Sequence, residues 1–284
     1  MKKHRRRHEI KTQPRAANEK KQQRSDQSKS GQESTRVKPG RRSQKTSAGL
    51  REQRSQEMRG RRSAASPTGN MIFKNVRLGR ECTLEPPVVI GKPPRGRSDG
   101  ELETVLGDNC VVRSFTTIYA GTRIGNGLQT GHGALIREGN TIGNDCSIGT
   151  NAVLEFDNRI GNFVRIHSGA FLEMVTIEDH VFIGPNVVFT DDPHPMGCPR
   201  FKECVGGATV RKFARIGANS TILPGVIIGK DSLVGAGSVV VKDVEEGTVV
   251  AGAPAKIICR VRELKCRKGF FDRAYMWEPY QKKK

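Results

Sequence analysis

The sequence predicts a mainly β fold, a coil of short stacked strands, and three observations predict it. The first is a beat of six. From Leu106 the chain reads LGDNCV, VRSFTT, IYAGTR, IGNGLQ, TGHGAL, IREGNT, IGNDCS, IGTNAV, LEFDNR, IGNFVR and IHSGAF, with Leu, Ile or Val heading nearly every block. The second is the company these aliphatics keep: Gly, Asn and Asp lie between them, residues suited to corners that need unusual backbone angles or local side-chain bonds. The third is persistence. The beat skips one residue after Leu172-Glu173-Met174-Val175-Thr176, resumes at Ile177 and Ile183, and breaks between Thr190 and Val210. It returns at Ile216 as IGANST, ILPGVI, IGKDSL, VGAGSV and VVKDV.

A period of six fits neither the helical period of about 3.6 nor the strand alternation of about 2. It fits a coil with flat sides, each side taking one block and the leading aliphatic pointing to the axis. A turn then takes about eighteen residues and carries three inner aliphatics. Successive turns stack at the strand spacing of about 4.8 Å, joined by backbone ladders. One turn cannot bury its own inner face, so many are needed; the blocks supply roughly seven, irregular N-terminal ones included.

This pattern, with Ile-Gly pairs at 142, 148, 160, 183, 216 and 228, resembles the hexapeptide-repeat acyltransferases over about residues 76–258. The resemblance implies a left-handed parallel β-helix, a hand opposed to the usual right-handed crossover. It also implies a homotrimer with sites between subunits, and acetyl-CoA as donor co-substrate with no tightly bound cofactor.

Charge divides the chain into a tail, residues 1–70, a body, 71–256, and an extension, 257–284. Residues 1–70 hold 21 Lys and Arg against 6 Asp and Glu, a net of +15. Residues 256–284 add +7, leaving −2 of the total +20 for the rest. The tail has few large apolar residues and is expected to be disordered. Its opening, Met1-Lys2-Lys3-His4-Arg5-Arg6-Arg7, suits nucleic acid or an anionic membrane surface; the plainer reading is a solvated tail, or an upstream extension of a start at Met71. With no apolar run long enough to span a membrane and no secretory signal, a soluble cytoplasmic protein is expected. In the body, Lys92 to Gly100 is rich in Pro, Gly and charge and reads as an exposed loop. In the extension, the run from Arg260 to Lys268 reads as a short helix, with Phe270, Phe271, Tyr275 and Trp277 placed to cover the coil's open end or a neighbour.

The seven cysteines are an odd number without a secretory signal, which argues for reduced thiols. Cys110 and Cys146 fall at the fifth position of their blocks and read as packing. Cys198 and Cys204 lie instead in the break, near His194. The spacing His194-x3-Cys198-x5-Cys204 offers three zinc ligands, but it matches no usual pair of knuckles and no fourth ligand is evident. Structural thiols, with no metal, are therefore the preferred reading.

The break is also where chemistry is expected. The run Gly184-Pro185-Asn186-Val187-Val188-Phe189-Thr190-Asp191-Asp192-Pro193-His194-Pro195 is similar to the segment of sugar O-acetyltransferases of the galactoside acetyltransferase type, whose loop histidine is the general base. The resemblance carries that role to His194, where neutral imidazole suits removal of a proton from an acceptor hydroxyl or amine. Asn186, Asp191 and Asp192 are the substrate-binding candidates. From Met196 onward the similarity stops. Among His132, His167 and His180, the second choice for the base is His167, since some related nucleotide-sugar N-acetyltransferases carry the base on the coil. By the same resemblance, Gly217, Ala218, Gly235 and Ala236 line a groove for coenzyme A, and Lys242 and Lys256 meet its phosphates; the plainer role of the glycines is to shape coil corners. Val241-Lys242-Asp243-Val244 and Gly252-Ala253-Pro254-Ala255-Lys256 are similar to the family's terminal signature.

The expected function is acetyl transfer to a hydroxyl or amine of a sugar or nucleotide-sugar. Two alternatives stand beside it. One is a metalloenzyme like the γ-class carbonic anhydrases, disfavoured because the histidines at 132, 167, 180 and 194 are far apart in sequence. The other is a non-catalytic coil whose tail binds nucleic acid.

Overall fold

The computed structural model describes residues 69–275, and the expected disordered tail therefore lies almost wholly outside the described residues. The chain winds into a parallel β-helix of triangular section. Its three faces are parallel sheets of nine, eight and ten strands, the last ending in an antiparallel hairpin strand. Most strands are two residues long, such as Leu135–Ile136 and Thr141–Ile142. Each pairs with the strand one full turn away: Leu135 lies between Thr117 and Val153, eighteen residues to either side. The coil is longer than the roughly seven turns the blocks suggest. Met71–Ile72, Val76–Leu78 and Thr83–Leu84 form true strands although their blocks are irregular, because ladder bonds need backbone and not a particular side chain. Asn70 already belongs to the coil, its Oδ1 accepting from the Val88 N–H at 3.1 Å.

The core follows the beat. The block leaders Leu106, Val112, Ile118, Ile136, Ile148, Leu154, Ile166, Leu172 and Ile183 are all buried. A second inner lining comes from the fifth position of the full blocks and from Val175 in the shortened one: Cys110, Leu128, Ala134, Cys146, Ala152, Val164, Ala170, Val175 and Val181 are equally buried. Burying one Leu, Ile or Val contributes roughly 1.5–3 kcal/mol, so the two linings together hold the triangle closed. The corners depart from expectation in one respect. Beside Asn, Asp and Gly, the left-handed positions include Phe115, Phe163, Met174, His180 and Phe213. Stacking compensates three of them: the His180 ring lies between Phe163, at 4.8 Å, and Phe213, at 5.0 Å, and such ring pairs contribute about 0.5–1.5 kcal/mol.

Three irregularities break the eighteen-residue step. The loop beginning at Lys92 widens it, so that Val89 pairs with Thr117; Arg95 to Asp99 are exposed as expected, and the loop is tied back by the Lys74 N–H to Asp99 Oδ1 bond of 2.8 Å. The skipped residue narrows it: Arg159 pairs with Thr176. The large break widens it again, Thr176 pairing with Thr209. Beyond the coil, Thr248–Gly252 and Ala255–Arg260 form a hairpin. The short C-terminal helix is a single 3-10 turn, Val261–Glu263. Tyr275 lies over the Arg215 guanidinium at 4.2 Å, whereas Phe270 and Phe271 stay largely exposed within the chain. Trp277 lies outside the described residues. Among the described residues, no helix is long and apolar enough to cross a membrane.

Candidate functional site

The break leaves the coil after Val188–Phe189 and rejoins it at Thr209–Val210. Both of its roots are fixed. The Thr190 N–H still donates to Ile222 O (3.1 Å), and the Gly206 N–H donates to Asp191 O (2.8 Å), closing the base of the loop. Gly207 has to be glycine there, since a Cβ would sit 2.4 Å from Met174 O. Between the roots the chain folds into consecutive turns. Gly197 N–H donates to His194 O and Phe201 N–H to Cys198 O, each at 3.1 Å, and Phe201–Cys204 makes one helical turn closed by Val205 N–H to Phe201 O at 2.9 Å. Prolines at 193, 195 and 199 restrict the backbone of the same stretch. The backbone N–H of His194 donates to Asp192 Oδ1 at 2.7 Å, which fixes where the residue leaves the loop.

These turns bring His194, Cys198 and Cys204 together. One ring nitrogen and the two sulfurs lie within 4.8 Å of one another, His194 and Cys204 exposed and Cys198 half-buried. The Cys198 thiol beside it raises the pKa of Cys204, and the charge of Asp192 acts in the same direction. Asp191, at the root, faces a different group. It raises the pKa of Glu173, which burial raises most and Glu155 raises further, while Arg137 opposes. Arg137 is itself paired with Glu138 and Glu155 and reaches the rings of Tyr119 and Phe156. Arg137, Glu155 and Glu173 form a charged ledge up the coil edge below the loop. Sequence reasoning missed it, although the signal was present: each follows a block leader where Gly is common, at steps of eighteen residues.

The remaining candidates lie at another corner of the triangle. His167 follows the strand Arg165–Ile166, Asn186 comes shortly after Phe182–Ile183, and Gly217, Ala218, Gly235 and Ala236 follow the next two strands of the same face. His167 is exposed, its ring tilted against Phe182 at 4.8 Å. Asn186 is exposed and left-handed, with φ of 55°. A Cβ on Gly217 would lie 2.5 Å from the Ala236 nitrogen, and one on Gly235 would lie 2.8 Å from the Ala251 Cβ. These glycines therefore have a packing reason to be present. Lys242 and Lys256 are exposed near the hairpin end. Of the other histidines, His132 Nδ1 lies 2.8 Å from Ser114 Oγ, and His180 is enclosed in its ring stack. Within one chain, then, the loop projects from one corner and the column of small residues climbs another.

Comparison with known proteins agrees with the fold. Residues 207–242 match the family described as bacterial transferase hexapeptide (six repeats). The chain is 36% identical over 110 residues to a galactoside O-acetyltransferase of Escherichia coli, covering 38% of this chain and 51% of that one. It is 69% identical over 48 residues to a 2,3,4,5-tetrahydropyridine-2,6-dicarboxylate N-acetyltransferase of Clostridium perfringens, covering 17% of this chain and 20% of the other. The chain thus spans about half the length, or less, of the curated relatives it matches. Among solved structures, the UDP-N-acetylglucosamine acyltransferase of Francisella novicida superimposes with a TM-score of 0.56 at 17% identity, covering 71% of this chain and 72% of that one, which is a likeness of fold.

Proposed function

We propose that this chain, which belongs to the hexapeptide-repeat acyltransferase family, transfers an acetyl group from acetyl-CoA to a hydroxyl or amine of a sugar or nucleotide-sugar. His194 is the general base. The observation that carries the reading is an exposed imidazole, its backbone held by Asp192, on the one large loop that interrupts the coil. In the reaction, the acceptor oxygen or nitrogen attacks the thioester carbonyl and His194 takes the acceptor's proton. The C–S bond then breaks, the sulfur takes that proton back from the His194 imidazolium, and the coenzyme leaves as its thiol. A backbone N–H at a coil corner stabilises the developing oxyanion. Asp191 and Asp192, with Glu155 and Glu173 below, supply acceptors for the hydroxyls of a sugar.

Coenzyme A is assigned to the corner of Gly217, Ala218, Gly235 and Ala236, with Lys242 and Lys256 for its phosphates. Loop and groove project from different corners of one chain, so a site using both is completed by a second copy. That supports a homotrimer with sites between subunits.

Thiol release from acetyl-CoA with a panel of sugars and nucleotide-sugars tests the reading. Replacing His194 by Ala is expected to lower kcat by about 10²–10⁴, and His167→Ala to leave it near the wild-type value. The opposite result moves the base to the coil. No turnover with any acceptor, together with no binding of coenzyme A, refutes the activity itself.

A further inference from the structure

We infer that His194, Cys198 and Cys204 form a binding site for a thiophilic divalent ion of the zinc class, and that the ion and the general-base role compete for one imidazole. The site stands on geometry alone; the competition rests on the proposed role of His194.

Three observations carry it. The first is convergence: one ring nitrogen and two sulfurs within 4.8 Å of one another. Zinc sits about 2.3 Å from sulfur and about 2.0–2.1 Å from nitrogen in tetrahedral sites, which places two sulfur ligands about 3.8 Å apart. The nitrogen–sulfur pairs would be slightly nearer, about 3.6 Å, so each pair needs to close by about 1.3 Å at most, within reach of side-chain rotation on an exposed loop. The second is the scaffold. Each ligand stands at a hydrogen-bonded turn: His194 and Cys198 supply the carbonyls that accept from Gly197 and Phe201, and Cys204 ends the helical turn. The third is that packing does not account for these thiols. Cys110 and Cys146 fill the coil's inner lining, but Cys204 is exposed in a helical turn with no buried residue and Cys198 is only half-buried, outside the core.

Protons and charge balance. The ion displaces one proton from each thiol, two S–H bonds giving way to two metal–sulfur bonds, and two protons pass to solvent. Two thiolates and a neutral imidazole offset the double positive charge. The fourth position is left to water. An imidazole nitrogen that binds metal has given up its lone pair, and the other ring nitrogen then carries the proton. A metal-bound His194 has no basic site left for the acceptor.

The test uses the full-length protein, reduced and freed of metal with a chelator, then titrated with Zn²⁺ against a chromophoric competitor in a weakly buffered solution. One ion per chain with release of two protons is expected. Cys198→Ser, Cys204→Ser and His194→Ala should each weaken binding by at least about tenfold. In the thiol-release assay, Zn²⁺ should inhibit the wild type and a chelator should restore it. The double variant Cys198→Ser/Cys204→Ser should transfer acetyl at the wild-type rate and resist Zn²⁺. Equal Zn²⁺ affinity in the double variant overturns the site, as does finding the reduced protein re-form a Cys198–Cys204 disulfide while binding no zinc. If the site binds Zn²⁺ but both the metal-loaded wild type and His194→Ala remain fully active, the base role fails and the metal site stands. If His194→Ala is inactive yet the metal-loaded wild type turns over normally, His194 is no ligand and the competition is refuted.

Discussion

Replacing Asn158 by Ala tests the account of how the coil absorbs a missing residue. Asn158 is fully buried in the turn beneath the skipped position. Its Oδ1 accepts from the Val175 N–H at 2.9 Å, and its Nδ2 donates to Glu155 O at 2.7 Å and to Asn140 Oδ1 at 2.9 Å. The side chain thus bonds backbone that the shortened turn leaves out of step. After truncation, Glu155 O keeps a partner in Asn140 Nδ2. The Val175 N–H and the Asn140 Oδ1 lose the Asn158 bonds. Each buried polar group orphaned in this way costs about 1–3 kcal/mol, so the loss should be about 2–6 kcal/mol. Asn144→Ala is the matched control. Its Oδ1 also accepts a backbone bond from an adjacent turn, here the one below, from Asn126 N–H at 2.8 Å, but Asn144 is exposed and water can replace it, so about 1 kcal/mol or less is expected. Urea unfolding of both variants, followed by circular dichroism, gives the comparison. If Asn158→Ala falls within about 0.5 kcal/mol of Asn144→Ala, buried satisfaction is not what stabilises the shortened turn.

Other consequences are open to measurement. Gly217→Ala should lower stability by about 1–3 kcal/mol through overpacking against the next turn, because its Cβ would meet the Ala236 backbone at 2.5 Å. Unchanged unfolding with weakened coenzyme binding would assign the glycine to the ligand instead. Burial pushes the thiols of Cys110 and Cys146 up to about 11, against about 8.5 in an unfolded chain. The folded state therefore holds protons that the unfolded state releases between those values. Their stabilisation is full below about pH 8.5 and is lost as pH rises toward 11. A stability profile that falls across this window, and falls less in Cys110→Ala/Cys146→Ala, is expected; equal slopes would refute the assignment. In native protein at pH 8, a maleimide should spare both of these thiols and label Cys266 readily, since backbone N–H groups near Lys268 and Phe270 lower its pKa.

Much of the fold was legible because the period of six is enforced by geometry at every turn. A block leader that was not apolar would put a polar group on the axis, so the leaders had to announce themselves. Thr130 is the exception that shows how the rule works: its hydroxyl is buried but lies 3.1 Å from that of Thr116 and accepts from the Arg113 N–H at 2.9 Å. The fifth-position lining was harder to read. Cys, Ala, Asn, Thr, Ser and Val all serve there, because that column requires limited volume and tolerates a polar atom that can bond a carbonyl of the same or the next turn, as Ser238 Oγ does with Gly235 O at 2.6 Å. Aromatics at left-handed corners were not legible at all. For Phe163, His180 and Phe213 the strain is offset by rings from neighbouring turns, and no local sequence window contains both partners.

The candidate site divides along the same line. His194 could be singled out because it falls where the beat stops, and an insertion is the one place where the coil does not dictate the residue. What the residues form there could not be read from spacing. Gaps of three and five between His194, Cys198 and Cys204 match no simple helix or knuckle. They become a cluster because two tight turns and one helical turn follow each other within the loop. The ledge of Arg137, Glu155 and Glu173 shows the complementary case, in which residues eighteen apart are neighbours only once the turn length is known. A charge that recurs at that interval, at the block position where the other two faces mostly carry glycine, is therefore the signal to seek in a coil of this kind: the core tolerates it, but nothing in the packing asks for it.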